Sequence, residues 1–181
     1  MAIIYAAELD PPKDALVEMW LDRQRWGGEG PVEILGSYRF DDPDGEVGVE
    51  VMLVERRGRV LQVPFTYRGA PIATGTLVST MEHSVLGDRW VYEAGTDPVA
   101  VACLTRALAG EQESAVFELH HPDGSVSVME PTVTVRRTPS PKDAPGRIEL
   151  IGELDPAMSY TDCAQQLVAT WAGGEAVVAL R

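Results

Sequence analysis

The run Val47-Gly48-Val49-Glu50-Val51-Met52-Leu53-Val54-Glu55, the turn Arg56-Arg57-Gly58-Arg59 and the run Val60-Leu61-Gln62-Val63-Pro64-Phe65-Thr66-Tyr67-Arg68 decide the fold. Side chains of a strand alternate between its two faces, so Val47, Val49, Val51 and Leu53 share one face of the first run. In the second run Leu61, Val63, Phe65 and Tyr67 share a face, while Gln62, Thr66 and Arg68 point the other way. Two such runs around a short glycine-containing turn predict a β-hairpin, and so an antiparallel sheet.

Upstream, Ile3 to Leu9 predicts a first strand. Asp10-Pro11-Pro12 predicts a helix start, with Asp as cap and proline where a missing N–H costs nothing. Leu16, Met19 and Trp20 then fall on one buried helix face, and Gly27-Gly28 ends the helix. Val32 to Phe40 predicts a strand that leads into the turn Asp42-Pro43-Asp44-Gly45. Downstream, Thr76 to Val85 and Arg89 to Glu93 form a second strand pair. Asp97-Pro98 opens a second helix with Ala100, Cys103, Leu104, Ala107 and Leu108 inward, closed by Gly110. Val116 to His120 and Ser125 to Met129 flank the turn Pro122-Asp123-Gly124. Thr132 to Arg136 is a further strand, and Ile148 to Leu150 another. Leu167 to Trp171 and Ala176 to Leu180 flank Gly173-Gly174 as a closing hairpin. Hairpin order with two helices predicts an α+β fold: curved antiparallel sheet packed on one or two helices. Pro139, Pro141 and Pro145 mark 138–146 as a linker, so the expected division is 1–137, a linker over 138–146, and a β extension over 147–181 packed on the main domain.

The 181 residues carry a net charge of −13, with 45% hydrophobic and 24% charged residues. That is the mix of a globular protein with a sizeable core. The acidity argues against nucleic acid and against an anionic membrane surface, both of which call for clustered cations. No apolar run approaches the length of a membrane-spanning helix. The N-terminus lacks the basic and apolar regions of a signal peptide, and the cysteines, Cys103 and Cys163, form no metal or disulfide pattern. A cytoplasmic location is the expectation.

The stretch from Trp20 to Gly30 (Trp-Leu-Asp-Arg-Gln-Arg-Trp-Gly-Gly-Glu-Gly) resembles the opening of the N-terminal cap of actinobacterial maltokinases. The resemblance continues at Tyr38-Arg39-Phe40-Asp41-Asp42-Pro43, Gly45-Glu46-Val47-Gly48-Val49-Glu50, and Val63-Pro64-Phe65-Thr66-Tyr67-Arg68-Gly69-Ala70-Pro71. It recurs at Glu82-His83-Ser84-Val85-Leu86-Gly87, Arg89-Trp90-Val91-Tyr92 and Asp97-Pro98. It does not extend to the last third of the chain. It implies a small α+β cap with a curved antiparallel sheet held against a helix. In the kinases that cap sits on a body that phosphorylates maltose or a related sugar with ATP and magnesium. Such a kinase needs a His-Gly-Asp loop with a downstream Asn. Here the three histidines precede Ser84, His121 and Pro122, and no G-x-x-x-x-G-K-[ST] phosphate loop occurs. Gly27-Gly28-Glu29-Gly30 follows a helix where a phosphate cradle would precede one.

The expectation is therefore a non-catalytic accessory or regulatory protein. It would be linked to α-glucan, trehalose or maltose metabolism through a protein partner or a bound sugar, with no catalytic residue, metal or cofactor assigned. The candidate ligand site comprises Glu82 and His83, with Tyr67, Arg68 and Arg89 as partners across the sheet. Trp26, beside its glycine turn, is the foremost of three tryptophans (with Trp20 and Trp90) that can stack on a sugar ring. The alternative is a small enzyme or ligand-binding protein with a pocket on the concave sheet face, in which Glu82 and His83 act as acid and base. Arg56, Arg57 and Arg59 form a solvated turn or a docking point for an acidic partner. Glu118 and His120 share a strand face but supply only two metal ligands.

Overall fold

The computed structural model describes residues 2–138, 146–160 and 165–181. The linker expected over 138–146 thus falls, apart from its two ends, outside the described residues, as does Cys163. In chain order the elements are β1 (Ala2–Tyr5), β2 (Leu9–Asp10), α1 (Lys13–Leu21), β3 (Glu33–Asp41), β4 (Val47–Arg56), β5 (Arg59–Arg68), β6 (Leu77–His83) and β7 (Gly87–Glu93). A 3-10 turn (Ala94–Thr96) leads to α2 (Pro98–Ala109), β8 (Phe117–His120), β9 (Val126–Met129), β10 (Thr134–Thr138), β11 (Glu149–Leu150), β12 (Glu153–Leu154), β13 (Gln166–Trp171) and β14 (Gly174–Leu180).

The predicted hairpin is the centre of the molecule. β4 and β5 pair from Val47↔Arg68 to Arg56↔Arg59. They lie in a curled antiparallel sheet of order β2-β6-β7-β5-β4-β3, with β12 added beside β5. The outer edge of β5 is shared: Val60 and Leu61 pair with β12, while Phe65 to Arg68 pair with β7. The α+β expectation holds in outline, with a small helical share. One pairing departs from the all-antiparallel reading, because β1 and β8 run parallel in a separate three-stranded sheet, β1-β8-β9.

Both faces of the central sheet are buried. Val47, Val49, Val51 and Leu53 join Tyr38 and Phe40 in a core shared with α2 and with the β13–β14 hairpin. Met52, Val54, Leu61, Val63 and Phe65 form a second core beneath α1. Burial on both sides explains the unbroken apolar run 51–54. Of the predicted α1 face, Leu16 and Trp20 are buried, but Val17 and Leu21 replace Met19, which is only partly covered. The helix is shorter than predicted, and its cap is Pro12 without a side-chain hydrogen bond, because Asp10 is taken up by β2. After Leu21 the chain folds back so tightly that a Cβ on Gly27 would lie 1.9 Å from the Leu21 carbonyl oxygen. For α2 the prediction holds residue by residue: Asp97 caps it, Pro98 starts it, and Gly110 closes it in the left-handed conformation at φ 81°.

Gln62 joins the four-stranded sheet β10-β13-β14-β11 to the central sheet. It is buried, accepts from the Tyr38 hydroxyl at 3.0 Å, and donates to the carbonyls of Ile151 and Val178 at 3.0 and 2.9 Å. A buried amide satisfied in this way costs little to bury and fixes the relative placement of the layers. Trp26 makes a second join: its ring fills the space where a side chain at Gly152 would stand, 2.6 Å from the nearest ring carbon.

The arginine turn is a fastener. Arg56 is 3% exposed. Its guanidinium donates to the carbonyls of Gly27, Gly28 and Gly30 at 3.3, 3.0 and 2.7 Å and to Asp22 at 2.7 Å. Arg59 holds Glu153 and the Trp26 carbonyl. The reading of Arg56, Arg57 and Arg59 as a solvated turn holds only for Arg57, which is exposed at φ 55°.

Candidate functional site

Along β4 the face turned toward α1 changes character every second residue: Val54, Met52, Glu50, Gly48. The first two are core. Glu50 interrupts the apolar layer, and Gly48 leaves it unfilled, with only the Tyr67 side chain opposite, 3.7 Å from where a Cβ would stand. The layer therefore ends in an ion cluster and then a cavity.

Glu50 is 3% exposed. Its carboxylate accepts from Lys13 Nζ at 2.7 and 3.0 Å and from Ser37 Oγ at 3.1 Å, and Arg39 Nη2 stands 3.1 Å away. The cross-strand pairs Arg39↔Glu50 and Ser37↔Met52 bring the β3 partners to the same face, and the first residue of α1 delivers the lysine. Burial alone would raise the carboxyl pKa. The charges of Arg39 and Lys13 outweigh it and hold the group far below the usual carboxylate range. The Tyr67 hydroxyl is buried beside this carboxylate, and burial together with the Glu50 charge pushes its pKa well up. Lys13 Nζ lies 5.7 Å from the centre of the Tyr67 ring, within cation–π range.

The cavity beside the cluster has a volume of about 540 Å³ and opens to solvent. That is the size of a small-molecule site. Lys13, Arg39, Tyr67, His83 and Arg89 line it, and so do the acids Asp41, Asp42 and Glu46 at the β3–β4 turn. Sheet register explains the convergence. Tyr67 pairs with Val91, Arg89 with Met81, and His83 with Gly87, so their side chains emerge on one face. The His83 Nδ1 accepts the backbone N–H groups of Val85 and Leu86, each at 3.2 Å. An accepting Nδ1 leaves the ring proton on Nε2. Burial, then the positive charges of Arg89 and Lys13, push the His83 pKa below its ordinary value, so the ring is a neutral donor at pH 7.

Of the six residues expected from sequence, Tyr67, His83 and Arg89 meet in this cavity. Glu82 does not: it pairs with Asp88 and is exposed on the opposite face of β6. Glu82 and His83 thus cannot act on one bound atom. Arg68 also lies on that other face, where it donates to Asp97 at 2.7 and 2.6 Å. Asp97 is fully buried, caps α2 through the Val99 N–H at 2.9 Å, and accepts from Thr66 at 2.7 Å. Burial works to raise its pKa, and the bonds from Arg68 and Thr66 more than offset that. Trp26 stands at the other end of the sheet, edge-on to Trp20 at 5.7 Å. Trp20 is 6% exposed, with its indole N–H on Glu93 at 2.8 Å, so neither face of that ring is free for a sugar.

Lys13, Arg39 and Glu50 are not singled out by the sequence. A signal for Glu50 is present, since it is a lone acid in Val49-Glu50-Val51-Met52, but a one-sided reading of β4 sends it to solvent. His120 and Glu118 approach to 3.7 Å, and His121 bonds Ser127 at 3.0 Å. Among the described residues no group of three or more His, Cys, Asp or Glu side chains is placed to hold a metal ion. Cys103 is fully buried, and burial raises its thiol pKa. Among the described residues no helix is long and apolar enough to cross a membrane.

Residues 20–97 match the family model of the maltokinase N-terminal cap domain. The match opens at Trp20 in α1 and closes at Asp97, the cap of α2, so it takes in strands β3 to β7. No curated protein and no solved structure matches the chain.

Proposed function

We propose that this chain is a cap-like accessory module of α-glucan, trehalose or maltose metabolism. It works by binding, and these residues perform no phosphoryl transfer. The observation that carries the reading is the match over 20–97, which encloses most of the cavity-lining side chains, Arg39, Tyr67, His83 and Arg89 among them. The cavity supports a binding role, since donors and acceptors both line a space large enough for a mono- or disaccharide. A cytoplasmic setting belongs to the same reading.

His83, the one neutral imidazole on the cavity, has no carboxylate of Glu82 beside it to make an acid–base pair. The residues that transfer a phosphoryl group in the kinases have no counterpart among these 181. The test is to incubate the purified chain with ATP, Mg²⁺ and maltose, trehalose or glucose, and separately with a linear α-glucan. ADP and sugar phosphate are expected to stay at the level without protein, and the glucan is expected to remain unbranched. Turnover that scales with protein concentration in either assay removes the proposal.

A further inference from the structure

The charged groups of the cavity are unevenly spent. Glu50 is shared by two cations, Lys13 and Arg39, so that cluster keeps one positive charge in excess. Arg89 adds another: among the described residues no carboxylate lies in salt-bridge contact with it, and its one protein acceptor is the Leu86 carbonyl. The Nε–H groups of Arg39 and Arg89 are both buried without a hydrogen-bond partner. Unpaired buried donors are rare in folded proteins and call for an explanation. His83 adds a third donor, its Nε2–H, because Nδ1 is occupied by backbone N–H groups. Each of these N–H groups is free to donate a hydrogen bond, and none can accept one.

Asp42 and Glu46, which line the same cavity together with Asp41, accept only. The Asp42 carboxylate is held in place by the backbone N–H groups of Asp44, Glu46 and Val47 at 3.2, 3.1 and 3.0 Å, so its direction is fixed by the turn. Negative charge there repels a second anionic end and favours hydroxyl donors.

We infer that the cavity is a site for a small hydroxyl-bearing organic anion, its phosphate or carboxylate held by Arg39, Arg89 and the His83 Nε2–H and its hydroxyls by Asp42 and Glu46. Arg39 and Arg89 both line the cavity and keep N–H groups that no protein acceptor takes. The inference stands on the cavity and not on the metabolic assignment. A neutral sugar matches only the acidic groups, and inorganic phosphate only the cationic ones.

The test uses the whole chain and four probes: glucose 6-phosphate, glucuronate, glucose and inorganic phosphate. Affinity is read by calorimetry at low salt, and the His83 imidazole is followed by NMR. One or both sugar anions should bind at least about tenfold more tightly than glucose or inorganic phosphate, the scale of one charge-assisted hydrogen bond. Which of the two binds more tightly distinguishes phosphate from carboxylate. R89Q should weaken that binding by about tenfold or more. R136Q, on the exposed Arg136–Glu175 pair of the other sheet, should leave it unchanged. If R89Q does not fold, the His83 Nε2 resonance of the unaltered protein decides the matter, since it must shift when a sugar anion binds. The inference is overturned if neither sugar anion binds more tightly than glucose, if R89Q binds equally well, or if His83 does not respond. Binding of glucose alone would end the anion site while leaving the accessory role intact.

Discussion

Replacing Glu50 by Gln tests how the ion cluster supports the floor of the site. Gln keeps the shape and can still accept from Ser37, but Lys13 and Arg39 then face each other with no counter-charge. Removing one member of a buried ion pair costs about 3–5 kcal/mol. Lys13 is 30% exposed and can swing toward water, whereas Arg39 at 14% cannot easily do so. The expected loss is therefore at the lower end, about 3 kcal/mol at pH 7. The pH dependence has a definite sign. The folded carboxyl pKa lies below its unfolded value, so the stabilisation is fully present above the unfolded pKa of about 4.3. It is lost as pH falls further, because the unfolded chain takes up the proton first. Urea denaturation of both proteins from pH 7 to pH 3 reads this directly. The gap should be widest at neutral pH and narrow below about pH 4. A loss under about 1 kcal/mol at pH 7, or a gap that stays constant down to pH 3, refutes the assignment of Glu50 as the ionised hub.

Asp97→Asn removes the charge opposite Arg68 but keeps a side chain able to cap α2. A loss of about 2–4 kcal/mol in urea denaturation is expected, and one below about 1 kcal/mol would place the pair among surface bridges. Trp26→Ala should cost about 2–4 kcal/mol. It should also raise amide exchange at Ile151 more than at Val63, because Trp26 holds the segment at Gly152. Gly27→Ala places a Cβ 1.9 Å from the Leu21 carbonyl oxygen, so the backbone must move. A drop in melting temperature of at least about 8 °C is the outcome to look for by circular dichroism, and an unchanged melting curve would contradict the tight return after α1.

Elements with a local signature are the ones legible in sequence. Asp97-Pro98 through Gly110 carries its cap, its proline and its terminating glycine within a short span, and α2 follows them. The β4–β5 hairpin follows from alternation and a turn, and Gln62, Thr66 and Arg68 do lie on the face opposite Phe65 and Tyr67. That Tyr67, His83 and Arg89 come together on one cavity is legible because polar side chains stand out on strands expected to be neighbours. What alternation leaves open is whether a strand is covered once or twice. β4 is covered twice, so Glu50 is buried where a one-sided strand would expose it. Pairing register is likewise non-local: it decides that His83 joins Arg89 while Glu82 turns away with Asp88. The role of Arg56 depends on the approach of the 27–30 turn from a segment some thirty residues distant, and no periodicity within its own strand encodes that. The same holds for Trp26, whose partner Gly152 lies far along the chain.

The central claim is that the space between Lys13, Arg39, Tyr67, His83 and Arg89 is where this chain does its work, and that the work is binding. A ¹H–¹⁵N NMR titration of the whole chain with maltose, trehalose and glucose 6-phosphate, ATP and Mg²⁺ being present throughout, addresses it most directly. Shift changes that saturate and cluster at those five residues, with the ATP unconsumed, are the predicted result. Changes that map to the outer face around Glu82 and Arg68 or to Trp26, or ATP consumed in step with protein concentration, would contradict it.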